Sequence, residues 1–266
     1  MITVTYAQLQ AWMGMFIWPF ARFLALITTA PVLSDNVIPV RVKVALAGLL
    51  AILVAPTLGP LPQVPIGSGA GLWTLGEQII IGGSIGMAMR IVFASVQAAG
   101  EFAGLQMGLS FAQLIAPGSD GSTLALSRLL DIIAMLVFLS INGHLQLIAT
   151  LADTFQTLPI RANSVGLLAT ASHWRILAEW GSVVFWAGLM LSLPIVAALL
   201  IANIALGILN RAAPQIGIYQ VGFAITLTTG FLVLQLILPN AAPFILRLFN
   251  MGMGTISHLT GAEGMQ

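Results

Sequence analysis

The sequence predicts an all-α, membrane-associated protein built from several long hydrophobic helices that Pro and Gly interrupt. Three observations carry this reading. Of the 266 residues, 59% are hydrophobic and only 6% charged, with a mean hydropathy of +1.03. Soluble domains carry roughly 25% charged residues, so a water-facing globule is excluded. Apolar runs recur near residues 9–33, 42–58, 72–93, 124–152, 176–209, 221–238 and 241–253. A bilayer crossing needs roughly 20 residues, so five or six of these runs reach that length. Finally, the runs are punctuated by groups that an ordinary span avoids.

Taken in order, the first run contains Pro19 and Arg22. Its leading residues, MITVTYAQ, hold no Lys or Arg and no cleavage signal follows, so the N-terminus is expected to stay as a membrane segment. The second run begins beside Arg41 and Lys43, and the stretch 59–71 (GPLPQVPIGSGAG) reads as an uncharged Pro/Gly loop. The third run carries Glu77, the pair Gly82/Gly86 and, near its end, Arg90. Asp131 lies inside the fourth and Pro194 inside the fifth, while Pro239 and Pro243 separate the last two. A charged group at a helix centre in lipid costs at least ~2.5–3.5 kcal/mol, so these charges are expected to face protein or water. Lys43 and the eight arginines spread over nearly every connection, and counting alternate loops slightly favours an external N-terminus.

Residues Gln97 to Ser122 (QAAGEFAGLQMGLSFAQLIAPGSDGS) differ from their surroundings. Gly100, Gly104 and Gly108 recur every fourth residue, so a helix carries them as one bare stripe, near Gln97 and Glu101. Such a face lets another helix approach closely, within the chain or from a neighbouring subunit. The polar Gln97, Glu101, Gln106 and Gln113 add a case for a wet lumen or a subunit contact. The following stretch mixes Phe111, Leu114 and Ile115 with Gly, Ser and Asp before the turn-like Pro117-Gly118-Ser119-Asp120-Gly121. Irregular backbone at membrane depth survives only when buried in protein or lining a water-filled space, although a surface loop fits the residues equally. Farther on, Arg211 is placed to cap the carbonyls of a long apolar helix, which Pro214 prevents from continuing into Gln215.

Chemistry is sparse. Cysteine is absent, and His144, His173 and His258 lack metal-ligand spacing, so neither a metal nor a cofactor is expected. No GxSxG, HExxH, Walker or dinucleotide signature is present, and no catalytic residue is assigned. A net charge of +1 argues against nucleic acid.

Several stretches together resemble the FliR family of flagellar type III export-gate proteins. They are Pro31-Val32-Leu33-Ser34 running through Ile38, Pro39, Arg41 and Lys43, then Glu77 with Gly82, Gly83 and Gly86, and Gln97 through Gly100 to Gly108. Asn142-Gly143-His144, Asp153-Thr154-Phe155 and Leu158-Pro159-Ile160 fit the middle of that family. Arg211-Ala212-Ala213-Pro214-Gln215 through Gly222 resembles its late motif, with Gly217 where Asn is frequent and Tyr219 where Phe is common.

The resemblance covers nearly the whole length and implies one FliR-like export-gate domain over residues 1–266, its helices arranged as hairpins in a larger assembly. It implies FliP and FliQ as hetero-oligomeric partners, FlhB on the cytoplasmic side, and a place in the flagellar basal body at the bacterial inner membrane, reaching toward the periplasm. It further implies a channel for unfolded flagellar proteins, required for flagellum assembly. By position, the loop that plugs this channel is Leu109 to Ser122, with Leu109, Ser110, Phe111, Gln113, Leu114, Pro117, Gly118 and Asp120 as its expected residues. The expected packing or subunit-interface set is Gly82, Gly86, Gly100, Gly104 and Gly108 with Glu77, Arg90, Glu101, Arg211, Pro214 and Gln215. The virulence-type secretion homologue is similar, and an independent secondary transporter is the rival class, since broken helices with midplane polar groups also suit one.

Overall fold

Apolar residues at three- and four-residue spacing fold this chain into long helices whose buried stripes define two cores. The computed structural model describes residues 5–59, 64–109, 125–160, 171–212 and 218–261. Among them are eight α-helices and no strand: α1 (Tyr6–Thr29), α2 (Val40–Val54), α3 (Gly69–Gln106), α4 (Ala125–Ser140), α5 (Gly143–Thr157), α6 (Ala171–Gly181), α7 (Val183–Ala212) and α8 (Ile218–Thr260). The all-α membrane fold expected from composition is therefore observed. Five helical stretches are long and apolar enough to cross a membrane, and α4 with α5 make a sixth if that bent pair counts as one span.

The helix boundaries refine the reading of the runs. Pro19, Pro194, Pro239 and Pro243 lie inside continuous helices rather than between them. Apolar surroundings leave a freed carbonyl no water to turn to, so neighbouring turns absorb the defect and the helix continues. The last two runs are thus the single helix α8. Conversely, the fourth run breaks at Asn142, whose φ of +55° ends α4 and turns the chain by 62° into α5. Asparagine tolerates the left-handed region, which makes it a natural breaker here. The 59–71 stretch ends early as a loop, because the Ser68 hydroxyl accepts the Gly71 N–H at 3.1 Å and caps α3 from Gly69 onward.

The chain divides into two compact units. The first comprises Met1–Arg90, Ile141–Gly181 and Met251–Gln266, the second Ile91–Ser140 and Ser182–Asn250. Both boundaries of the second unit's first segment adjoin helical structure: one falls inside α3, the other at the α4–α5 bend.

In the first unit, α1 supplies Trp18, Phe23, Leu26 and Ile27, all fully buried. Ile81, Ile85 and Met89 of α3 and Leu147, Leu151 and Phe155 of α5 recur every fourth residue and complete that core. In the second unit, Leu126, Leu130, Ala134 and Phe138 form the stripe of α4, and Leu191, Ile195 and Leu199 that of α7. Its centre is aromatic. Phe93, Phe138 and Phe249 lie with ring centroids 5.2–5.6 Å apart in tilted and edge-on arrangements that suit the ring quadrupoles.

Removing the central ring tests this core. Phe138→Ala is expected to destabilise the second unit by about 3–5 kcal/mol, the usual range for a buried Phe. Thermal unfolding of the detergent-solubilised chain measures it, and a shift no larger than that of an exposed control such as Leu136→Ala contradicts the assignment.

Candidate functional site

Arg22 sits in the middle of an apolar helix and is completely buried. An unpaired guanidinium there is untenable, and the surrounding helices satisfy it. Its Nε donates to Gln78 Oε1 of α3 at 2.8 Å, and Nη1 donates to Thr154 Oγ1 of α5 at 2.9 Å. Nη2 donates to the carbonyl of Leu158, just beyond α5, at 3.1 Å. The guanidinium carbon Cζ lies over the Phe155 ring, 4.2 Å from its centre, and Phe155 in turn packs on Phe23. Glu77, also buried, contributes the opposite charge that acts on Arg22. One side chain of α1 therefore gathers α3 and α5, and the fork geometry of Arg serves acceptors on both.

The glycines of α3 make the second layer of this site. A Cβ on Gly82 would collide with the carbonyl oxygen of Arg22, and one on Gly86 with the Thr29 hydroxyl and the Ala30 backbone. Contacts rising together in both sequences show α1 and α3 running parallel, backbone close to backbone. In the second unit a Cβ on Gly100 would strike the backbone of Ser127, and the Ser127 hydroxyl donates to Gln97 O at 2.9 Å. Gly188 of α7 is a milder case, since a Cβ there would press on the Ala98 side chain at 3.0 Å and the Ser95 carbonyl at 3.2 Å. The bare faces of Gly82, Gly86 and Gly100 are thus filled from within the chain.

Gly108 departs from the expected stripe. It lies past the last residue of α3 with φ +82°. Gly108 N–H bonds to Leu105 O at 3.1 Å and Leu109 N–H to Gly104 O at 3.0 Å, the two bonds of a Schellman stop. A left-handed residue is required there, so the glycine ends the helix instead of extending its face.

A family model described as "Bacterial export proteins, family 1" matches residues 13–252. The chain is 47% identical over 251 residues to the flagellar biosynthetic protein FliR of Pectobacterium carotovorum subsp. carotovorum, covering 94% of each chain. It is 46% identical over 250 residues to that of Escherichia coli, again covering 94% of each. The Bacillus subtilis protein of the same name is 24% identical over 250 residues, which is 94% of this chain and 96% of the relative. The chain belongs to the FliR family. It is accordingly a membrane-embedded component of the flagellar export apparatus.

Among the residues expected to act in this FliR-family chain, the structure brings Glu77, Gly82 and Gly86 together against α1. Gly100 and the buried Gly104 lie in the second unit. Arg90, Glu101 and Arg211 are exposed. Leu109 packs half-buried against the core formed by Met107, Leu126, Ile195 and Leu199. Ser110, Phe111, Gln113, Leu114, Pro117, Gly118, Asp120, Pro214 and Gln215 lie outside the described residues. The sequence reading missed Gln78 and Thr154 as the partners of Arg22. Two adjacent polar residues, Glu77-Gln78, inside an apolar run were the available signal.

Replacing Arg22 tests the node. Arg22→Met leaves the buried Gln78 and Thr154 oxygens and the Leu158 carbonyl without the donor they share and is expected to cost about 3–5 kcal/mol. Arg22→Lys keeps the charge without the fork and should recover only part of the loss. Thermal unfolding of the solubilised chain reads both, and equal stability of Arg22→Met and the parent refutes the role.

Proposed function

We propose that the chain is a core subunit of the flagellar protein-export gate and that Leu109–Ser122 plugs its channel. In this reading FliP and FliQ surround it, FlhB docks on the cytoplasmic side, and unfolded flagellar proteins pass through the assembly. The role is structural and gating, without catalysis. It is exercised at the bacterial inner membrane with a reach toward the periplasm, and residues 1–266 serve it as one domain.

The observation that carries the plug assignment is the anchoring of both flanks of residues 110–124. On one side α3 stops at the Gly108 turn, with Met107 fully buried against Gly230 of α8. On the other, Leu126 and Ser127 lie against Gly100, seven residues or about 10 Å back along α3. A segment tethered at both ends can block a passage without being carried off by its cargo. Helix length supports the wider setting. At 38 and 43 residues, α3 and α8 measure about 57 and 65 Å, against about 30 Å for the hydrocarbon core of a bilayer. Such helices need protein or water around much of their length.

Deleting Phe111–Gly118 in cells is expected to make the resting gate leak ions or small solutes while the subunit still assembles. An unchanged permeability barrier with normal assembly removes the plug from the account. Separately, the tagged chain is expected to co-purify in detergent with FliP and FliQ as a complex many times its own 28.0 kDa by mass determination. Recovery of a stable, lone chain contradicts the assembly reading.

A further inference from the structure

We propose that the furrow between α1 and α3 holds one acyl chain of an anionic phospholipid, whose headgroup Arg90 meets. The furrow lies wholly within the first unit and has a volume of about 480 Å³. Ile17, Ala21, Leu24 and Thr28 of α1 form one wall, and Leu75 and Ile79 of α3 the other. Thr28 is the polar residue of this lining, and its hydroxyl donates to its own helix, to Leu24 O at 2.9 Å and Ala25 O at 3.1 Å. What the furrow offers an occupant is hydrocarbon.

Its dimensions select the occupant. From Ile17 to Thr28 the wall runs about 16 Å along the helix axis. Spread over that length, the volume leaves a section of about 30 Å². An α-helix about 10 Å in diameter fills about 80 Å² and does not fit. A single hydrocarbon chain, about 5 Å across at van der Waals contact, fills about 20 Å² and does. Depth agrees with width. Ile17 stands at the middle of α1, whose 24 residues measure about 36 Å. The furrow thus extends from mid-helix to helix end, the depth of one leaflet of a hydrocarbon core about 30 Å thick.

The end of the furrow decides for a lipid. Arg90 follows Ile79 by three helical turns and so projects from the same face of α3. Gly86, one turn before it, meets Thr29 and Ala30, which sets Arg90 just past the Thr28 end. Arg90 is exposed and has no ion-pair partner among the described residues. An apolar slot one chain wide and one leaflet deep, with a free guanidinium at its mouth, has the outline of an anionic lipid. The guanidinium fork takes a phosphate by two parallel bonds. This inference rests on the chain's place in a membrane and is independent of the plug and partner readings.

Photolabelling of the full-length chain in phosphatidylcholine nanodiscs tests it. The probe is palmitoyl-oleoyl phosphatidylglycerol carrying a diazirine on one tail. Peptide mass mapping is expected to find the label on α1 between Ile17 and Thr28 and on α3 between Leu75 and Ile79. The same tail on phosphatidylcholine should label these segments about 5-fold less, the worth of one cation beside an anionic headgroup. Arg90→Gln should lower phosphatidylglycerol to that level, and Arg90→Lys should keep the preference. Ile79→Trp, at an exposed position, narrows the furrow and should reduce labelling by both lipids. Label outside the furrow, equal labelling by the two lipids, or a preference that Arg90→Gln leaves unchanged overturns the proposal. So does a benzophenone side chain placed at Ile79 in cells, if it captures a second copy or a partner helix in place of lipid.

Discussion

A guanidinium buried in an apolar helix commits everything near it. Once Arg22 occupies the face of α1 that points inward, α3 must bring an amide oxygen and a carboxylate, and α5 must bring the Thr154 hydroxyl and end where the Leu158 carbonyl can reach the same group. Hydrophobic burial is non-directional and tolerates sliding. A fork with acceptors on two other helices does not, because a displacement of a few tenths of an ångström lengthens several bonds at once. The first unit therefore has one register, and Gly82 and Gly86 owe their lack of side chains to it: α3 comes close enough for Gln78 to meet Arg22 only if the next two turns are bare.

The second unit reaches its specificity by other means. It has a trio of packed Phe rings and close helix contacts at Gly100 and Gly188, and its hydroxyls bond to nearby carbonyls. Lipid offers little hydrophobic reason for one helix to prefer another over solvent chains, so close backbone contact and shape carry association. Helices α2, α7 and α8, with only 11–22% of their apolar stretches buried, retain broad apolar surfaces. Those surfaces are apolar and uncovered within the chain.

Fold class was readable because it rests on amounts: scarce charge and long apolar runs leave few alternatives. Helix continuity was less so. Proline is a strong breaker in water, and the two runs on either side of Pro239 are one helix because the surroundings remove the competitor that breaks it. The Asn142 bend had its local signal in the Asn-Gly pair, hidden by the hydrophobicity on both sides. For the site, the spacing of Gly82 and Gly86 marks bare turns, which α1 meets in the structure, yet spacing carries no information on whether the partner is α1 or another chain. Gly100 and Gly108 share that spacing and do different jobs, since only the backbone geometry distinguishes a contact from a stop. The partners of Arg22 lie 56 and 132 residues away, a separation that no local pattern spans.

The glycine seats also shape how the gene can vary. Any residue that replaces glycine carries a Cβ, and at Gly82, Gly86 and Gly100 that atom meets backbone or a tightly placed hydroxyl of the neighbouring helix. Drift to alanine, the gentlest step elsewhere, is closed at these three positions. The neighbouring Gly76 and Gly83 have open space around them and are free of this restriction. Tolerance along α3 should therefore alternate within a few residues between fixed and permissive glycines, so that one helix contains both nearly immutable and freely varying examples of the same amino acid.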